Sequence, residues 1–159
     1  MRVLCCGLLL SCASASQLPE ATTVPKLALS RSDGQASTFQ AALGGSVAVI
    51  DLWATWCTAC ERERPKLARL DAAYREQGLR VIGLNVGESA SQVSAYLAEH
   101  PMPYAVYLDP DFHAANALGG QNVLPTILVV DRGGRIVHRS TALDVATLSR
   151  VKSLLAATP

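Results

Sequence analysis

Val47-Ala48-Val49-Ile50-Asp51-Leu52-Trp53-Ala54-Thr55-Trp56-Cys57-Thr58-Ala59-Cys60 is the stretch on which the reading of this chain turns. An apolar run of strand length, broken only by Asp51, leads directly into a Cys-x-x-Cys pair. Such a continuous run is expected of a central strand covered on both faces. Cys57 then opens a predicted helix that runs to about Gln77, with Gly78 as its stop. Two thiols at this spacing can close a small disulfide and reopen it by exchange, with a thiolate as the attacking species. At a helix start that anion faces unpaired backbone N–H groups and the positive end of the helix dipole. The alternatives are a structural pair or half of a zinc site. A four-ligand zinc site needs two more Cys or His at matching spacing. No second Cys pair lies downstream, and His100, His113 and His138 are scattered singly. Redox chemistry is the better reading.

Strands and helices alternate outward from this stretch. Lys26 to Leu29 predicts a short strand and Ser32-Asp33-Gly34 a turn, with Ser37 or Thr38 capping a short helix through Leu43 closed by Gly44-Gly45. Leu79 to Val86 predicts the next apolar strand. Ser89 or Ser91 starts a helix through His100, ended by Pro101 and Pro103. Tyr104 to Leu108 predicts a strand, and Asp111 to Leu118 a short helix ending in Gly119-Gly120. Thr126 to Val130 and Arg135 to Arg139, around Asp131-Arg132-Gly133-Gly134, read as a β-hairpin. Asp144 to Ala157 is a final amphipathic helix with Val145, Leu148, Val151, Leu154 and Leu155 on one side. This order argues for an α/β sandwich around a mixed sheet.

The chain has 159 residues, 50% of them apolar and 17% charged, which gives one domain with a single core and excludes disorder outside the ends. A net charge of +1 without a basic stripe argues against nucleic acid as a partner. Behind Met1 and Arg2, the apolar run Val3 to Leu10 is too short for a membrane span of about 20 residues and reads as part of a signal peptide over 1–15. Leu9-Leu10-Ser11-Cys12 resembles a bacterial lipoprotein box, with cleavage before Cys12 and lipidation of its thiol. Ala13-Ser14-Ala15 offers an ordinary small-x-small cleavage site instead. The lipobox is favoured, because a Cys directly after a Leu-rich run and a small residue is otherwise hard to explain. Residues 12–23 then read as a flexible tether and 24–159 as the domain. Under either cleavage the mature domain keeps Cys57 and Cys60 of the five Cys.

Asp51 to Cys60 followed by Pro65, together with Leu124-Pro125-Thr126, resembles the active-site segment and cis-proline loop of the thioredoxin superfamily. The N-terminal hairpin, the extra strand and helix between Leu79 and Leu118, and Glu63 are similar to the TlpA/ResA branch, envelope-anchored thiol–disulfide oxidoreductases of bacteria. The resemblance covers about Val24 to Ala157. It implies a thioredoxin-like three-layer sandwich: a central mixed β-sheet flanked by helices, with an N-terminal β-hairpin and an inserted strand and helix.

The same resemblance implies a role for each matched residue. Cys57, exposed at the helix start, is the nucleophile, and Cys60 resolves the mixed disulfide. Trp56, Leu124 and Pro125 shape substrate binding, with Pro125 cis and the Leu124 backbone free to pair with a peptide. Asp51 lies beneath the second Cys as its general base. A carboxylate in an apolar strand is costly unless paired or protonated; the alternative is a partly exposed acid at a strand end. Helical spacing brings Glu63 near the active-site face as an acid that tunes the thiols, and a solvated charge in Glu61-Arg62-Glu63-Arg64 is the equal alternative. Pro65 should kink the helix. Trp53 belongs to the core, and the three His to the surface or helix ends.

Two departures from the family pattern stand out. Thr58-Ala59 lacks the proline common between the cysteines of reducing members, and Ser140-Thr141-Ala142 stands where many relatives carry a glycine. The expected activity is thiol–disulfide exchange in the bacterial envelope, reducing protein disulfides without a cofactor or metal. The protein is expected to act as a monomer, lipid-anchored through Cys12 on the periplasmic face and supplied by a membrane or envelope electron donor. The outer membrane is favoured over the inner, since Ala13 is not the aspartate of inner-membrane retention. Cytochrome c maturation is one role in that family. The alternatives are a disulfide oxidase or isomerase, and a copper(I)-binding module held by the two thiolates. No His or Met stands at an evident spacing to complete the latter.

Overall fold

The computed structural model describes residues 23–119 and 123–157. The expected signal peptide, the expected lipidation site at Cys12, the expected tether up to residue 22 and Gly120 lie outside the described residues. β3 (Val47–Trp53) is buried at every position, as its unbroken apolar run requires. It pairs in parallel with β4 (Leu79–Val86) and antiparallel with β6 (Thr126–Val130). β4 pairs in parallel with β5 (Ala105–Asp109), which borders the N-terminal hairpin of β1 (Ala28–Arg31) and β2 (Ala36–Thr38). β7 (Ile136–Ser140) closes the other edge, so the seven-stranded mixed sheet runs β2-β1-β5-β4-β3-β6-β7.

Strand alternation then sorts the core into two layers. Ala48, Ile50, Leu52, Ile82, Leu84 and Leu128 face α1 (Phe39–Leu43) and α4 (His113–Ala117). Val47, Val49, Val81, Ile127 and Val129 face α2 (Thr58–Tyr74) and α5 (Val145–Ala156). Trp53, Val106 and Leu108 continue that second face against α3 (Ala90–Glu99) and the two cysteines. The three-layer sandwich expected from the sequence is the fold.

Several boundaries differ from the sequence reading, each for a local reason. Thr38 ends β2 and also caps α1, its hydroxyl accepting the Ala41 N–H at 3.1 Å, so one residue serves two elements. α2 stops at Tyr74 and tightens into a 3-10 turn, Arg75–Gln77, before Gly78 leaves it at φ 89°. The helix continues through Pro65. Of the two serines, Ser89 starts α3, with Gln92 completing a capping box. Val145 was expected on the buried side of α5. It is the first residue of that helix and is 83% exposed. His138 is neither superficial nor at a helix end. It is half-buried on β7, within 3.1 Å of the Thr147 hydroxyl. No helix among the described residues is long and apolar enough to cross a membrane.

Candidate active site

β3 ends at Trp53, and Ala54, Thr55 and Trp56 carry the chain over the C-terminal edge of the parallel strands, the edge where α/β sheets place their sites. Cys57 is the N-cap of α2. Its backbone is extended, and its Sγ accepts the Cys60 N–H at 3.1 Å, the position a Ser or Asp oxygen occupies in an ordinary cap. Cys57 and Cys60 are joined as a disulfide. After reduction a thiolate at Cys57 would meet the same N–H and the positive end of a 17-residue helix, both of which stabilise the anion.

Cys57 was expected to be exposed. It is only 5% exposed, against 1% for Cys60, because both belong to an apolar cluster with Trp53, Ala54, Val93, Val106 and Leu108, against which Leu124 packs. Trp56 beside them is 71% exposed, so its ring is available to a partner and is no part of the core. The Leu124–Pro125 bond is cis. Pro125 is buried and Leu124 half-buried, and β6 begins directly after them at Thr126, which pairs with Leu52 near the end of β3. The loop therefore abuts the end of the strand that feeds the cysteines.

Asp51 lies on the α2 side of β3, two residues before Trp53, with Gly83 and Ile127 as its cross-strand neighbours. It is fully buried, and neither carboxyl oxygen has a hydrogen-bond partner. The alternative of a partly exposed strand-end acid is thus excluded. Burial pushes its carboxyl up to about 7; the charge of Glu63 pushes the same way, and the Arg64 guanidinium opposes both. A carboxyl poised there exchanges its proton near neutral pH.

Glu63 is not a solvated charge either. It is 6% exposed, its Oε2 accepting the Leu143 N–H at 2.9 Å and its Oε1 the Lys66 ammonium at 2.7 Å. It fastens α2 to the segment before α5, and its charge acts on Asp51.

The sequence reading overlooked Glu88. This buried carboxylate follows β4 and accepts from three donors: Thr55 N–H to Oε2 at 2.7 Å, Thr55 hydroxyl to Oε1 at 2.5 Å, and Asn85 Nδ2 to Oε2 at 2.7 Å. It clamps the turn that delivers Trp56 and Cys57. Gly87 before it holds φ 73°, and a Cβ there would collide with the Phe112 ring, so the approach of Glu88 depends on glycine. The one sequence signal was an acid next to a required glycine. Among the described residues no group of three or more His, Cys, Asp or Glu could hold a metal ion.

Known proteins resemble this chain in sequence and in fold. The chain is 30% identical to the thiol-disulfide oxidoreductase ResA of Geobacillus thermodenitrificans over 115 residues, 72% of this chain and 65% of that protein. It is 36% identical to the thiol:disulfide interchange protein DsbE of Allochromatium vinosum over 96 residues, 60% of this chain and 51% of that one. It thus spans less than two thirds of the length of these curated relatives. A crystal structure of a thioredoxin family thiol:disulfide interchange protein from Chlorobium tepidum TLS superposes with a TM-score of 0.71 at 24% identity, covering 86% of this chain and 97% of the other. That likeness carries the fold. The redoxin family matches residues 14–155, nearly the whole sequence. This chain, with its thioredoxin-like sheet and its cysteine pair at the head of α2, belongs to the redoxin family.

Proposed function

We propose that this protein is a thiol–disulfide oxidoreductase that reduces protein disulfides through Cys57 and Cys60. The observation that carries the reading is a cysteine pair at the cap of α2 with a fully buried, unpartnered Asp51 behind it. The Cys57 thiolate attacks one sulfur of a substrate disulfide; that S–S bond breaks, and the other substrate sulfur leaves as a thiolate. Asp51, as carboxylate, takes the Cys60 proton. The Cys60 thiolate then attacks Cys57 Sγ, releasing the second substrate sulfur and closing the Cys57–Cys60 disulfide. An electron donor in the envelope returns the pair to dithiol.

Exposed Trp56 and the Leu124–Pro125 edge support an extended peptide as the bound form of the substrate, held by the Leu124 backbone. Glu63 acts through Asp51 as a positioning residue. The names of the ResA and DsbE relatives support the chemistry, and the apolar run before Cys12 supports an envelope location. The box around Cys12, with Ala13 after it, supports a lipoprotein on the periplasmic side of the outer membrane. A diacyl or triacyl modification at Cys12, read by mass spectrometry of the native protein, tests that anchor; an unmodified N-terminus at Ser16 overturns it.

The central test is asymmetric. Cys60→Ser should trap a mixed disulfide through Cys57, whereas Cys57→Ser should abolish disulfide reduction. Full turnover by Cys57→Ser, or a trap formed through residue 60 in that variant, would sink the reading.

A further inference from the structure

Asp51 is not alone in its lack of partners. Both its carboxyl oxygens, the Trp53 indole Nε1 and the Tyr104 hydroxyl are buried and make no hydrogen bond in the disulfide form. Buried polar groups are nearly always satisfied, so several together need an explanation. These converge on one place. Gly83 is the cross-strand neighbour of Asp51, and a Cβ on it would stand 3.0 Å from Trp53 Nε1 and 3.5 Å from a Tyr104 ring carbon. The Gly83 backbone lies outside the left-handed region, so no turn demands glycine there. What its missing side chain does is leave room for the indole and the phenol beside Asp51. The set is complementary: two donors, N–H and O–H, and one group that becomes a strong acceptor when it ionises.

We propose that Tyr104, assisted by Trp53, is the positioning residue that receives the negative charge of Asp51, its hydroxyl donating to the carboxylate directly or through one water. This rests on Asp51 being the base for Cys60. The base must be a carboxylate before it takes the Cys60 proton, and buried without donors that form would be rare. A protonated Asp51 accepts more weakly and needs the donors less, and with the disulfide closed the donors stand unpaired. Burial, then the charge of Asp51, push the Tyr104 phenol far above its ordinary range, so it stays a donor throughout. The other charged groups acting on the pair are Glu63 and Arg64 at Asp51, and Arg64 and Asp71 at Tyr104; all three sit on α2 and remain in the variants below.

The test is a carboxyl titration of Asp51 in the reduced protein by NMR with 13C-labelled aspartate, assigned with Asp51→Asn. Tyr104→Phe removes only the oxygen. It should raise the Asp51 midpoint by about half a unit to one unit. Below that midpoint it should slow resolution of the mixed disulfide about three- to tenfold, in line with the smaller carboxylate fraction. Gly83→Ala, which crowds the indole N–H, should move the midpoint the same way and serves if Tyr104→Phe does not fold. An unmoved midpoint in the folded variants overturns the proposal even if Asp51→Asn cripples resolution. Conversely, normal resolution by Asp51→Asn overturns the role of Asp51 as base, whatever Tyr104→Phe does to the midpoint.

Discussion

Asp51 and Glu88 are both buried acids behind the same disulfide, one within β3 and one just past β4, yet their surroundings are opposite. Glu88 accepts from three donors, two of them on Thr55 in the turn that carries Cys57. Asp51 accepts from none. Donors aimed at a carboxylate fix its geometry and satisfy its charge. An acid buried without them holds its proton to unusually high pH. The fold thus holds one carboxylate by three donors and leaves the other without any, as the proposed proton-exchanging role of Asp51 requires.

The largest expected break in this comparison comes from Asp51→Asn. The Asp51 carboxyl titrates at about 7 in the fold against 3.8 for an ordinary Asp. The folded protein therefore holds this proton more tightly than the unfolded chain. The favourable contribution is full below about pH 4 and is lost as pH rises to about 7, a change of up to about 4 kcal/mol. Urea unfolding at pH 4 and pH 8 should show wild type losing stability over that range by this route, and Asp51→Asn losing much less. At pH 8 the variant should be the more stable protein, and yet resolve mixed disulfides more slowly. Equal pH slopes in the two proteins would remove Asp51 from the role given it.

Glu88→Ala should act in the opposite direction. It leaves Thr55 N–H, the Thr55 hydroxyl and Asn85 Nδ2 without their acceptor, at a cost of about 2–3 kcal/mol. Because those donors hold the turn before Cys57, kcat/KM for disulfide reduction should fall on the order of tenfold. A variant as stable as wild type would show that the clamp is not needed to hold the turn.

This contrast also marks how far the sequence could be read. Asp51 was legible because a lone acid in an apolar run of strand length has no innocuous place to go. Cys57, Cys60 and Pro125 were legible because backbone context and family pattern agree on them, and the seven-residue β3 set the sheet around which the rest is arranged. Glu88 was not legible. Its burial depends on Thr55, 33 residues away, and in Gly87-Glu88-Ser89 it reads as a turn acid before a helix. Glu63 stayed ambiguous for the same reason, since its partner at Leu143 is 80 residues distant. The low exposure of Cys57 follows from its place in an apolar cluster that includes residues far along the chain, and the exposure of Val145 was misjudged because helical periodicity does not say which residues at a helix start meet the sheet. Local pattern reveals which face is apolar. Which polar atoms meet across the fold is decided by contacts that no window of sequence contains.

The smallest expected effect is the most discriminating. Glu88→Gln keeps the shape of the clamp and removes its charge. The Gln oxygen can take the place of Oε2, accepting from Thr55 N–H and Asn85 Nδ2. Its amide nitrogen would then lie where Oε1 accepts the Thr55 hydroxyl, and that hydroxyl can rotate to accept instead of donate. What is lost is the extra strength of charge-assisted bonds, about 1 kcal/mol. The stability that Asp51 gives up between pH 4 and pH 7 should still be lost in this variant, because Asp51 is untouched. Urea titrations across that range, beside those of Asp51→Asn, read both quantities at once. If Glu88→Gln flattens the slope, the two acids are electrostatically one unit, and the division into fastener and proton-exchanger fails. A small loss with the Asp51-driven slope retained would place the proton chemistry on Asp51 and the geometry of the cysteine turn on Glu88.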